Sequence, residues 1–359
     1  MNWKNGLKQL YLPLILLASI LFVTWFSINP LRVETYYYNG LYPFISGLLR
    51  IISGWLPISI GDILYTIAGI WFLFKIVHFF KRLFNKQVTR VYLWQCSKKI
   101  ISFGLSVYLI FYVCWGINYN RLGIAYQLHI TPEAYSTAAL SALTDSLIVK
   151  ANKERIALPP TNKSDEAIFE DAKAAYAKVA TTYPHLSYNH PAIKSSLFGR
   201  FGNYAGFLGY YNPFSGEAQV NTTIPRFLIP YTVCHEIGHQ LGYATEDEAN
   251  FAGYLAASAS NDVATRYSVY IDLFLYANRE LYARDSIAAK TKFQQLDTLV
   301  KQDLQNYKTF LLAHQNPVEP YITLLYGEYL KANNQPQGMD TYEDVISWLI
   351  AYQKKYGKL

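Results

Sequence analysis

Three long apolar stretches occupy the first third of the chain. Leu10 to Ile28 runs 19 residues without a charge, and Ile100 to Ile117 runs 18. Between them, Ile63 to Phe80 is interrupted only by Lys75 and His78, tyrosines aside. About 20 apolar residues cross a bilayer, and buried helices of globular proteins rarely run so long without charge. The pattern predicts three transmembrane helices, at about residues 10–28, 60–80 and 100–117, in a membrane domain covering 1–119. The first stretch is too long for a signal-peptide core, and no small-residue cleavage site follows in "WFSINPLRVE". Lys75, near the end of the second stretch, can snorkel to the headgroups. "YPFISGLLRIISGW", residues 42–55, reads as an interfacial helix rather than a span.

Past Asn120 the pattern becomes that of a water-facing domain, residues 120–359. Residues 133–153 and 165–182 carry helical periodicity, with Ser164 as N-cap and acids in the first turn of the second helix. "GFLGYY", "NPFSG" and "EAQVNTT" read as strand, turn and strand. Helical patterning returns from about Pro230 to the end, broken by "NNQPQG". No internal repeat is visible. The expected fold is membrane-anchored and mainly α, with an α+β extracytoplasmic domain holding a short β region.

Charge supplies orientation and removes one class of partner. The net charge is +7, but residues 1–119 hold 11 Lys and Arg against 2 acids, while residues 120–359 hold 21 against 23. The basic excess belongs to the apolar third, so no basic patch is expected on the folded domain and nucleic acid is excluded as a partner. The stretch 81–99 holds six basic residues and no acid, and the N-terminus carries Lys4 and Lys8. Basic flanks stay on the cytoplasmic side. A multi-pass protein of the cytoplasmic membrane follows, with residues 81–99 as a cytoplasmic loop and the C-terminal domain in the periplasm or its equivalent. Only Cys234 of the three cysteines lies in that domain, so no disulfide forms within it.

One stretch carries candidate chemistry. "YTVCHEIGHQLGYATEDEANFAGY", Tyr231 to Tyr254, contains His235, Glu236 and His239 as H-E-x-x-H. On a helix, positions i and i+4 share a face, so both imidazoles can reach one metal ion. Glu236, roughly 100° around the helix, then sits beside the ion as a general base. Val233 and Ile237 point into the core. A catalytic zinc takes three protein ligands; Glu246 can be the third, with Asn250 one turn on orienting a ligand histidine, and Glu248 is an alternative ligand. Gly242 can end the first helix in a left-handed turn. "EAQVNTT" is either an edge strand that pairs with substrate, placing Glu217 near the cleft, or a hairpin strand in the core. Tyr267 and Tyr270 are candidate transition-state donors. His129, His185, His190 and His314 lack ligand spacing, and Cys234 reads as packing.

"HEIGH" followed by "EDEAN" resembles the gluzincin zinc metallopeptidases, where H-E-x-x-H is joined by E-x-x-x-D on the next helix. Asn250 stands at the aspartate position, and the gap between motifs is short. Gly242 matches the metzincin pattern H-E-x-x-H-x-x-G-x-x-H, with Thr245 at its third histidine. The whole chain resembles an uncharacterised bacterial family with three N-terminal spans, that of domain of unknown function 3810. The resemblance implies a zincin-like domain with Zn2+ on His235, His239 and Glu246, and Glu236 as catalytic base. It implies a membrane-anchored peptidase acting on protein or peptide substrates, the alternative being an inactive binding or regulatory protein on the same fold. An intramembrane protease does not fit, because the motif is polar and lies more than 100 residues beyond the last span.

Overall fold

The computed structural model describes residues 11–160, 163–357 and 359; Lys4, Lys8 and Leu10 lie outside them. The chain is mainly helical. Helix α1 spans Tyr11–Ser27 and bends by 100° into α2, Pro30–Gly54. The bend has a local cause. Pro30 disfavours a helical Asn29, which is extended (φ −104°, ψ 105°) and caps the next turn by accepting the Arg32 N–H at 3.0 Å. Within α2, Val33–Leu41 is wound as a π-helix. The half of α2 expected at the interface buries Tyr42, Ser46, Arg50 and Ser53 while exposing Phe44, Ile51 and Trp55. Its polar face is turned inward and its apolar face outward.

Helices α3, Ile60–Phe84, and α4, Arg90–Cys114, are each long and apolar enough to cross a membrane, and the bent pair α1–α2 is a third candidate. Of the three expected spans, two are single long helices and the first is a bent pair, so the count is two, or three if the bent pair is one span. The basic stretch 81–99 is not a loop. Lys81 and Arg82 end α3, while Arg90, Lys98 and Lys99 belong to α4, leaving only residues 85–89 between the helices. Ser59 and Thr89 cap the two helix starts through the N–H groups of Asp62 and Tyr92. At Trp115 (φ −157°) α4 stops, ahead of its expected end at 117, and a 3-10 turn follows.

The remaining helices are α5 (Gly123–Leu128), α6 (Thr137–Ala157), α7 (Asp165–Ala180), α8 (Gly199–Ala205), α9 (Ile229–Gln240), α10 (Glu246–Ala259), α11 (Val263–Arg284), α12 (Ser286–Gln294), α13 (Thr298–Ala313), α14 (Glu319–Ala332) and α15 (Val345–Tyr356). Ser164 caps α7 as its sequence indicates. A single core joins α6, α7, α9, α10, α11 and α15, with Val233 and Ile237 fully buried in it.

Three short strands form one sheet: β1 (Ile193–Ser195), β2 (Gly209–Asn212) and β3 (Glu217–Val220), in the order β1-β3-β2. β1 runs parallel to β3, pairing Ile193 with Ala218, and β2 runs antiparallel, pairing Gly209 with Val220. β3 is therefore central and every residue in it is buried. The edge-strand reading of "EAQVNTT" is overturned, because β1, too short to announce itself in sequence, covers its other side. Glu217 is fully buried. Its carboxylate accepts hydrogen bonds from the N–H groups of Ile60 (3.0 Å) and Gly61 (2.6 Å) and from the hydroxyls of Ser59 and Ser215. It anchors the first turn of α3, where a helix favours an anion. Asp62 docks the same turn, accepting from Leu197 N–H at 2.7 Å and from the Tyr210 hydroxyl.

Candidate metal centre

The site is built by two adjacent helices, α9 and α10. Pro230 stands in the first turn of α9, where its missing N–H leaves no bond unmade. The turn after α9 follows the sequence expectation, with Gly242 in the left-handed region at φ +87°. There the Tyr243 N–H reaches back to Gly238 O and the Gly242 N–H to His239 O, closing the helix end. The chain then returns as α10 in close contact with α9. A Cβ on Gly238 would lie 3.1 Å from the backbone of Ala249, and one on Gly253 would lie 3.1 Å from the His235 nitrogen. These two glycines let the backbones approach, and the approach carries Glu246 onto the histidines.

His235, His239 and Glu246 are all buried, and one ligand atom from each lies within 4.8 Å of the others. Glu246 Oε2 is 3.2 Å from His235 Nε2 and 3.5 Å from His239 Nε2. The opposite ring nitrogens are occupied. His235 Nδ1 lies 2.7 Å from Asn250 Oδ1, and His239 Nδ1 lies 2.8 Å from Tyr243 O. A carbonyl oxygen only accepts, so each Nδ1 carries the proton and each Nε2 turns its lone pair to the cluster. Asn250 thus orients a histidine, as its spacing suggested, and its own amide N–H donates to Tyr342 O at 3.2 Å. Among the described residues this is the single such group of histidine, cysteine and carboxylate side chains.

Glu248 is held elsewhere. Its carboxylate accepts the Ile124 N–H at 2.9 Å and fills the space above Gly123, where a Cβ would overlap it. The structure brings Glu246 to the histidines and leaves Glu248 on the opposite side of α10.

Glu236 lies beside the cluster and is buried, with one carboxylate oxygen, Oε2, lacking a hydrogen-bond partner. Gly209 at the start of β2 lies against it; a Cβ there would fall 2.6 Å from Oε1. Burial raises the Glu236 carboxyl to about 7 against the opposing pull of both histidines. Burial alone would lower His235, but the carboxylates of Glu246, 3.2 Å from Nε2, and of Glu236 raise it to about 9. For Glu246, the histidines outweigh burial and hold the carboxyl well below the usual range.

Sequence spacing pointed to none of several aromatic neighbours. The Tyr326 hydroxyl donates to Glu246 Oε1 at 2.7 Å, and the Tyr342 ring stacks near His235, with centroids 6.3 Å apart. Both flank the "NNQPQG" break, whose Gln335 accepts the Glu246 N–H at 2.9 Å. Tyr267 donates instead to Asp303, and Tyr270 packs in the core under Lys150. Neither belongs to the cluster. Cys234 is fully buried packing.

The C-terminal end of α9 is buried and is held by residues from the N-terminal third of the chain. Trp115 Nε1–H donates to His239 O at 3.0 Å, the Tyr42 hydroxyl to Gln240 O at 2.8 Å, and Arg121 to Gly242 O at 3.1 Å. Arg121 is paired with buried Glu34 at 3.1 Å and lies 3.2 Å from the centroid of the Tyr38 ring. A lone buried charge would be expensive, and this pairing with a ring stack satisfies both partners.

No curated protein and no solved structure matches the chain. A family model described as "Protein of unknown function (DUF3810)" matches residues 37–350, a span that runs from α2 through α9 and α10 into α15, and the chain belongs to that family.

Proposed function

We propose that the protein is a membrane-anchored zinc peptidase whose site lies outside the cytoplasmic membrane. The observation that carries this reading is the buried His235–His239–Glu246 group with two carboxylate oxygens, Glu246 Oε2 and Glu236 Oε2, left without hydrogen-bond partners. Buried oxygens are rarely orphaned: a cation held with the two histidines answers Glu246 Oε2, and a water beside it answers Glu236 Oε2. The separations also suit zinc. Ligand atoms about 2 Å from a common centre at tetrahedral angles lie about 3.3 Å apart, close to the 3.2 and 3.5 Å found here. Two imidazoles and one carboxylate are a catalytic rather than a structural donor set, since a fourth position stays open.

When bound, zinc supplies a Lewis acid that polarises a substrate carbonyl and acidifies water. The chain's own groups do the rest. His235 and His239 hold the ion through Nε2, with tautomers set by Asn250 and Tyr243 O. Glu236 takes the proton of the attacking water and returns it to the leaving amine, a role its place beside both histidines suits. Tyr326 fixes the Glu246 carboxylate and frees Oε2 for the ion. The zincin-like fold and the outward orientation of the site belong to this proposal; basic residues at the joined ends of α3 and α4 support the orientation.

The test uses the full chain in detergent or nanodiscs, purified without chelators. Plasma mass spectrometry is expected to find about one zinc per chain, and a broad peptide library to yield cleavage that a chelator abolishes and added zinc restores. Cleavage unaffected by chelation would end the proposal. Bound zinc with no cleavage of any peptide would favour the binding protein instead.

A further inference from the structure

We infer that α14 lies in the bilayer interface, so that the metal site sits at the membrane surface rather than projecting away from it. The inference rests on the reading that α3 and α4 cross the membrane and extends that part of the proposed function. It does not depend on metal chemistry.

α14 exposes an apolar stripe to its surroundings. Tyr321, Leu324 and Leu325 are 68%, 62% and 71% exposed. They are spaced i, i+3 and i+4, one face of a helix. Single exposed leucines are ordinary, but a contiguous stripe on a water-facing helix is not. At 14 residues, α14 is about 21 Å long, too short to cross a bilayer but suited to lying along one.

Its place in the fold selects lipid as the occupant. The end of α14 is tied to the end of α4, because Tyr112, in the last turn of that span, donates its hydroxyl to Asn333 at 3.2 Å. Tyr119, just beyond α4, lies 3.1 Å from Tyr329 between hydroxyls. The start of α14 is tied to α8, where Asn316 donates to Tyr204 O at 2.7 Å. α8 exposes Phe201 and follows Leu197, the residue bonded to Asp62 in the first turn of α3. The stripe therefore continues the apolar surface at the ends of both spans that lie on the site's side.

The opposite side of α14 faces the site. Tyr326, on that side, donates to Glu246. One helix thus links the bilayer surface to a metal-site residue across its own width of about 10 Å.

The experiment places a photoreactive benzoylphenylalanine at position 321, 324 or 325 of the full chain in phospholipid nanodiscs. Phe74, exposed on α3, serves as the lipid control and Ile156, exposed on α6, as the water control. Irradiation followed by mass spectrometry is expected to give phospholipid adducts at the α14 positions on the order of tenfold above Ile156 and comparable to Phe74. Adducts at Phe74 with none at any of the three α14 positions would overturn the inference alone. A crosslinked dimer through α14 would overturn it in favour of a second copy. Absence of adducts at Phe74 as well would remove both this inference and the spanning of α3, while leaving the metal site untouched.

Discussion

The indole N–H of Trp115 donates to the backbone oxygen of His239 at 3.0 Å, so the residue that ends α4 also caps the helix carrying both histidines. Tyr42 and Arg121 cap the neighbouring carbonyls. Removing one such bond is expected to cost about 1 kcal/mol. Trp115→Phe keeps the ring contact with His239 and loses only the donor, so zinc affinity should fall by about fivefold. A chain beginning at residue 120 loses Trp115, Tyr42 and Glu34 together and should lose the metal outright. Titration of both with zinc checks this; unchanged affinity in the truncated chain would show that the membrane segments do not support the site.

Glu246→Ala removes the group 3.2 Å from His235 Nε2 and should abolish stoichiometric zinc. Glu248→Ala leaves the Ile124 N–H without its acceptor and should lower thermal stability while zinc remains. Metal content and melting temperature, read on both variants, separate the two acids.

Glu236→Gln conserves volume but cannot take a proton. The protein should fold, keep its zinc and lose roughly two to four orders of magnitude in turnover, the range for general-base removal. Equal cleavage by variant and wild type would remove Glu236 from the mechanism.

For the topology, a phosphatase reporter fused after Leu359 is expected to be active in a bacterium, and one inserted at Asn85, in the short turn between α3 and α4, to be silent. The reverse pattern would place the metal site in the cytoplasm.

His185 should make the protein sensitive to acid. Burial, with the charge of Arg121 beside it, lowers its imidazole to about 4 against the opposing influence of Glu34. Between about pH 4 and 6.5 the unfolded chain binds more protons than the folded one. Stability is therefore complete above that window and is lost as pH falls through it. His185→Gln should shrink the difference in melting temperature between pH 7 and pH 5. An unchanged difference would assign the acid sensitivity to other groups.

Whatever depends on local spacing was legible in the sequence. His235 and His239 are one turn apart, Asn250 is one turn beyond Glu246, and Gly242 marks the helix end; a helix with 3.6 residues per turn determines these relations. The apolar stretches likewise announced α3 and α4, because a bilayer selects by length and composition. Partners distant in sequence were not legible. Local spacing favoured Glu246 and left Glu248 as the alternative, while the close approach of α9 and α10 at Gly238 and Gly253 brings Glu246 against the histidines. β3 became central because β1, three residues long, paired with it. Tyr326 reaches Glu246 across 80 residues and Tyr42 reaches Gln240 across 198. In a chain with 32 tyrosines, no periodicity distinguishes those two, and only the packing of distant helices decides which hydroxyl meets which oxygen.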